Sequence, residues 1–347
     1  MLTINIGNRQ IGPDHKPFII AEMSGNHNQS LQRALEIVDK AAEAGADAIK
    51  LQTYTAETMT IKGALRINDK NSLWEGQELF DLYKKAYTPW EWHKEIFEYA
   101  NKKGMLAFSS PFDESAVDFL ESLNVPAYKI ASFENTDHPL LKKVAQTGKP
   151  VIMSIGASSI AEIDEAVKVL RENGCKELVL LKCTSTYPAT PAHSNIRTVP
   201  HLAQLFDKVI VGISDHTLGI GVPVAAVALG ASVIEKHLTL DRNDGGVDSA
   251  FSLEPDELKA LVVESERAHQ ALGGVQYGIQ HTEKKSRKFK RSVYVVREVK
   301  EGEVLSKENL RVIRPSLGLE PKFFEQILGR EVRKPIKAGT PLKWEHI

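Results

Sequence analysis

Two histidines, His216 and His237, each follow an apolar, β-branched run: residues 209–213 before the first and 232–234 before the second. The segment between them is rich in Ala and Val and is closed by Gly230, so the unit reads strand, polar end, helix, strand, polar end. A parallel strand–helix–strand unit brings both strand ends to one edge of the sheet. The imidazoles then stand on neighbouring strands, half of a site for a borderline divalent ion such as Mn2+, Co2+ or Zn2+. Asp215, Glu235 and Asp248 are nearby acids. The competing reading is two hydrogen-bonded structural histidines.

The same motif, an apolar run ending in reactive side chains, recurs along the chain. The ends carry Glu22, Asn26 and His27; Lys50 and Gln52; Ser109 and Ser110; Lys129, Ser132 and Glu134; Ser154; and Lys182, Ser185 and Tyr187. Lys50 and Lys129, with Lys182 as a third candidate, suit a phosphate and a carboxylate because hydroxyls accompany them. A lysine alone could instead form a Schiff base or a strand-end ion pair. Glu22 and Glu134 are carboxylates placed to move protons. For Ser109 a hydrogen bond within the scaffold is as good a reading as a functional one.

Eight strand–helix units position these groups. The strands are residues 18–21, 46–52, 105–109, 127–131, 150–154, 178–183, 209–213 and 232–234, and an amphipathic helix over 255–272 closes the series. Eight such units predict an α/β fold, a (β/α)8 TIM barrel with its active site at the C-terminal strand ends. An open doubly wound sheet would show a Gly-rich phosphate loop after its first strand, and Gly25 alone is not one. Residues 53–88 interrupt the pattern. They include Trp74 and Tyr83 and are too many for an ordinary strand–helix loop.

Past Gly273 and Gly274 the character changes. Lys284, Lys285, Arg287, Lys288, Lys290 and Arg291 form a basic run that reads as a solvated linker. Short segments punctuated by Gly302, Gly318, Gly329 and Gly339 follow, a small loop-rich domain. The predicted division is a barrel over 1–274, a linker over 275–290 and a C-terminal domain over 291–347. A formal net charge of −1 argues against nucleic-acid binding by bulk charge. The two cysteines, Cys175 and Cys183, suggest no disulfide framework, and no leader or membrane span is read. A cytoplasmic protein without nucleic-acid or membrane partners is expected.

These stretches resemble the sialic acid synthase family, which condenses phosphoenolpyruvate with an amino-sugar aldehyde. The likeness rests on Ile20-Ala-Glu22 with Asn26-His-Asn28, on residues 44–52 and 128–134, on Gly212-Ile-Ser-Asp-His216 and on Glu235-Lys-His237. Ile313-Arg314-Pro315 and residues 336–340 resemble its C-terminal antifreeze-like (SAF) domain, a β-rich module. Residues 22–30, 52–56, 86–93, 132–136 and 182–188 resemble the pseudaminate branch, whose acceptor is 2,4-diacetamido-2,4,6-trideoxy-altropyranose in its open-chain form. The alternatives are the N-acetylneuraminate or legionaminate acceptor, a metal-dependent pyruvate aldolase, and a carbohydrate- or ice-binding protein.

The resemblance implies a divalent metal ion, Mn2+ first and Mg2+ or Co2+ otherwise, on His216 and His237. It implies phosphoenolpyruvate on Lys50, Ser110, Lys129, Ser132, Ser154, Ser185 and Ser214. The sugar would meet Gln52, Tyr187, Asp248 and Arg314, with Glu22, Glu134 and the two histidines catalytic. A domain-swapped homodimer follows, in which Arg314 reaches the partner's sugar. Two positions depart from the pattern: Ser185 stands where sialic acid synthases often have Asn, and Ile155 where the family commonly has Thr.

Overall fold

The computed structural model describes residues 2–70 and 72–347. Twelve strands are numbered in chain order. A hairpin of β1 (Ile4–Ile6) and β2 (Arg9–Ile11) comes first. Eight parallel strands follow: β3 (Phe18–Glu22), β4 (Ala48–Thr53), β5 (Leu106–Pro111), β6 (Tyr128–Ile130), β7 (Val151–Ser154), β8 (Leu178–Cys183), β9 (Val209–Ser214) and β10 (Val233–His237). They close in the order β10-β3-β4-β5-β6-β7-β8-β9, so the chain forms the TIM barrel that its periodicity predicts.

Local chemistry explains the elements. The helix Leu31–Ala44 starts where the Ser30 hydroxyl accepts from the Arg33 N–H and stops at Gly45, whose φ of 88° lies in the left-handed region. The helix Ile160–Glu172 opens on a reciprocal Ser159–Glu162 capping box. The strands are apolar on both faces because one face fills the barrel and the other is covered by helices, among them Pro255–Leu272. At Gly212 in β9 an added Cβ would lie 2.2 Å from the Val233 carbonyl oxygen, so the β9–β10 contact requires glycine.

Three features differ from the sequence reading. The hairpin β1–β2 was not foreseen; Ile4, Ile6 and Ile11 bury against the barrel core. Strand β10 runs on through Glu235 and His237 rather than ending at Ile234, because those residues continue to pair with β3. Residues 53–88, expected to exceed an ordinary strand–helix loop, contain two short helices, Ala56–Met59 and Leu79–Ala86, that the sequence reading did not include.

The chain divides into compact units over 1–273 and 274–347. The second has its own core, with Val293, Val295, Leu310, Ile336 and Leu342 among its members. Its strands β11 (Ser292–Val295) and β12 (Leu310–Ile313) pair antiparallel. The stretch 274–291 is exposed throughout. No helix among the described residues is long and apolar enough to cross a membrane.

Candidate active site

Strand alternation sends every second side chain into the barrel. Lys50 on β4 and Lys129 on β6 meet there at one carboxylate. Lys50 Nζ lies 3.2 Å and Lys129 Nζ 3.5 Å from Glu235 Oε1. Glu22 Oε2 is 2.6 Å from Lys50 Nζ, and its other oxygen accepts from the Ser24 N–H at 2.9 Å. The Lys50 ammonium also donates to Ser110 Oγ at 3.3 Å, and Ser214 Oγ donates to Glu235 Oε1 at 3.2 Å. Two buried cations thus face two buried anions. Burial pushes Lys50 down to about 8, offset by Glu235. Burial acts to raise Glu235, but Lys129 and Lys50 together hold it well below the usual carboxylate range. Glu235 Oε2 has no hydrogen-bond partner among the described residues and remains open to a donor.

Beside this floor lies a cradle of hydroxyls around Gly156. A Cβ there would fall 2.2 Å from Ser185 Oγ and 2.8 Å from Ser132 Oγ, so only glycine leaves room. The Gly156 N–H donates to Ser132 Oγ at 3.1 Å. Ser154 Oγ is buried without a hydrogen-bond partner among the described residues. Backbone and hydroxyl groups gathered next to two lysines suit an anionic ligand.

The paired histidines follow. Their ring centroids are 5.3 Å apart. His216 Nδ1 lies 3.0 Å from the Thr184 carbonyl oxygen. A carbonyl only accepts, so Nδ1 carries a proton and Nε2 is the nitrogen left to bind an ion. Against the lowering effect of burial, Cys183 and the Thr184 carbonyl raise the His216 pKa. His237 Nδ1 is buried and has no partner among the described residues, and burial with His216 alongside keeps that ring well below its ordinary pKa, hence neutral. Two neighbouring imidazoles with ring nitrogens left for coordination fit a divalent ion. The nearby acids are engaged elsewhere: Asp215 pairs with Lys236 at 2.9 Å, Glu235 with the lysines, and Asp248 accepts from Ser24 Oγ. Among the described residues no cluster of three or more His, Cys, Asp or Glu side chains could hold a metal. An ion on the two histidines would therefore keep open positions, as a catalytic rather than a structural site does.

A cavity of about 390 Å3 opens on these groups. Gln52, Glu134, Tyr187, His237 and Asp248 line it. Tyr187 lies 4.4 Å from His216, centroid to centroid. Burial pushes Glu134 up to about 7 although Lys129 pulls it down. Burial likewise raises Asp248.

Two candidates point away. Lys182 donates to the Cys183 carbonyl and to Thr184 Oγ1, outside the ring of lumen-facing residues, whereas Cys183 faces His216. The alternation of β8 forces that choice. Ser109 lies 2.6 Å from Thr53 Oγ1, which in turn lies 2.8 Å from His93 Nε2, a purely internal relay. Arg314 belongs to the second unit and is exposed just after β12. Sequence reasoning had taken Glu235 only as a neighbour of the histidines and passed over Gly156. For Glu235 the signal was present: it is two residues before His237 in one strand, hence on the same face.

The NeuB family model matches residues 37–277, and the SAF domain model matches residues 290–347. The pseudaminic acid synthase of Campylobacter jejuni is 44% identical over 341 residues, 98% of each chain. That of Helicobacter pylori is 42% identical over 95% of this chain and 98% of its own. Among solved structures, an N-acetylneuraminic acid synthetase from Leptospira borgpetersenii superposes with a TM-score of 0.74. It has 35% identity and covers 82% of this chain and 94% of its own.

Proposed function

The chain belongs to the NeuB family, and from that premise we propose that it condenses phosphoenolpyruvate with 2,4-diacetamido-2,4,6-trideoxy-β-L-altropyranose to give pseudaminic acid and phosphate. The observation that carries the reaction is the pair of buried lysines meeting at Glu235 beside two neighbouring imidazoles. The acceptor follows from the name shared by the Campylobacter and Helicobacter relatives.

Lys50 and Lys129, with Ser110, Ser132, Ser154, Ser185, Ser214 and the Gly156 cradle, hold the phosphate and carboxylate of phosphoenolpyruvate. Gln52, Tyr187 and Asp248 orient the acceptor in the cavity. Metal dependence is general in the family. A divalent ion, Mn2+ before Mg2+ or Co2+, would be held by His216 and His237 and supplies Lewis acidity to the acceptor's carbonyl. Carbon 3 of phosphoenolpyruvate bonds to the aldehyde carbon while carbon 2 gains positive character. Water adds at carbon 2, and phosphate leaves from the tetrahedral intermediate by C–O cleavage. Glu134 takes the water proton: among the described residues its Oε2 has no hydrogen-bond partner, and burial pushes the carboxyl up to about 7. Glu22 is held in place by Lys50 and the Ser24 N–H. Arg314 is proposed to complete the acceptor site of a partner subunit in a domain-swapped homodimer.

The test is phosphate release from phosphoenolpyruvate with a panel of acceptors, before and after chelation. Turnover should require the diacetamido-trideoxy sugar and stop on exhaustive metal removal, returning with Mn2+. Preferred turnover of N-acetylmannosamine would reassign the acceptor, and full activity in chelated protein would remove the metal.

A further inference from the structure

Much of the cavity wall is hydrocarbon, and its aliphatic side chains Met59, Ile67, Leu79 and Leu82 come from the 53–88 excursion rather than from the strands, whose ends supply Glu134 and His237 to the same cavity. The excursion is tied down at both ends by buried histidines. Thr53 Oγ1 is 2.8 Å from His93 Nε2, and Thr88 Oγ1 is 3.2 Å from His27 Nε2. Trp74 Nε1 donates to the Val247 carbonyl at 3.1 Å, a third tie across the cavity mouth. Met59, Ile67 and Leu79 nevertheless stay only partly buried. Aliphatic surface facing a water-accessible cavity is stabilised when a ligand's apolar atoms cover it. A hydroxyl pressed against the same surface loses its water hydrogen bonds without replacement. The reacting carbonyl belongs at the strand ends, so the remainder of the acceptor extends along this wall.

We propose that Met59, Ile67, Leu79 and Leu82 are specificity-determining residues that select an acceptor carrying methyl groups, a deoxy carbon and N-acetyl methyls, over a hydroxylated one. The assignment rests on the condensation proposed above and names the part of the acceptor that the excursion reads.

The experiment uses the full chain with Met59→Gln and Ile67→Thr, which make the wall polar at partly exposed positions. Leu65→Gln is the control; it lies in the same excursion, is 54% exposed and does not line the cavity. Turnover of the diacetamido-trideoxy sugar is measured, with N-acetylmannosamine as competitor so that its Ki is read whether or not it reacts. A change of one apolar group in such a pocket shifts discrimination roughly tenfold or more. Each wall variant should raise the KM of the deoxy acceptor about tenfold, with the competitor's Ki unchanged or lower. The phosphoenolpyruvate KM and the thermal midpoint should hold, and Leu65→Gln should match wild type. Parallel losses for both sugars, or unchanged constants in the wall variants, overturn the assignment while the reaction stands. A wild-type enzyme that turns over no acceptor overturns the reaction and the assignment together.

Discussion

Glu134 and Glu235 are both carboxylates in one barrel mouth, and burial acts to raise both; what faces them sends them in opposite directions. Glu235 sits between Lys129 and Lys50 and stays charged; Glu134 is pushed up to about 7 by burial, with Lys129 offsetting only part. Carboxylates driven apart in this way separate a fixed charge from a proton carrier. A proton acceptor must first be ionised, so kcat/KM should rise with pH through about 7. Glu134→Gln should remove that limb and lower kcat roughly 10^2–10^4-fold. An unchanged acid limb in the variant would place proton handling elsewhere. Stability gives an independent sign. A carboxyl raised in the fold favours the folded state while protonated, and that contribution is lost as pH rises from its ordinary 4.5 through about 7. Glu134→Gln should therefore gain stability over wild type at pH 8 and show little difference at pH 4, read from urea midpoints. Most of these residues were legible as strand-end side chains. The lysine–Glu235 convergence was not, since its members come from β4, β6 and β10 and only barrel closure brings them together.

Strands β9 and β10 hold the histidines at their spacing by a device on the opposite face. Asp215 and Lys236 each precede a histidine, so alternation turns them away from it. They meet at 2.9 Å, and Lys236 also donates to the Thr217 carbonyl while Thr217 donates to Asp215 Oδ2 at 2.8 Å. Both residues are buried. Lys236→Met should cost roughly 3–5 kcal/mol by leaving Asp215 buried and unpaired, whereas Asp215→Asn combined with Lys236→Met should recover part of that loss. The double variant should still bind divalent metal more weakly than wild type, because the strand ends are no longer tied together. Wild-type metal affinity in a folded double variant would show that the pair serves stability alone. The helices Ile160–Glu172 and Pro255–Leu272 were legible from periodicity and caps, and β8 from its apolar run. The ends of β10 were not. Glu235, Lys236 and His237 read as a polar terminus, and it is the ladder to β3, joined by β9 at Glu235, that keeps them extended.

At the scale of the whole molecule, a complete barrel is followed by an exposed stretch and a small unit with its own core. The proposed division of labour gives phosphoenolpyruvate and metal to the barrel and one acceptor contact, Arg314, to the SAF region. Arg314→Ala should raise the acceptor KM with little effect on that of phosphoenolpyruvate. The loss should be roughly 10-fold or more, and Arg314→Lys should not restore it, since an ammonium lacks the guanidinium fork. Mixing an inactive His216→Ala chain with the Arg314→Ala chain checks the trans arrangement. If subunits exchange and Arg314 serves its partner, one site of the heterodimer carries both lesions and the other none, so activity returns. Verified exchange without recovered activity would confine Arg314 to its own chain.

The sequence by itself determined the eight-fold alternation of apolar runs and amphipathic segments, and with it the edge at which Lys50, Lys129, Glu134, His216 and His237 must gather. Period and capping are local properties, carried by residues a few positions apart. It also marked residues 53–88 as an excursion too long for an ordinary strand–helix loop. Tertiary structure alone decided which charges neutralise one another, that Asp215 serves Lys236 and Lys182 faces outward, and that the excursion turns its aliphatic side chains onto the cavity. Those outcomes depend on distances between strands far apart in the chain, and on which groups barrel closure leaves without water.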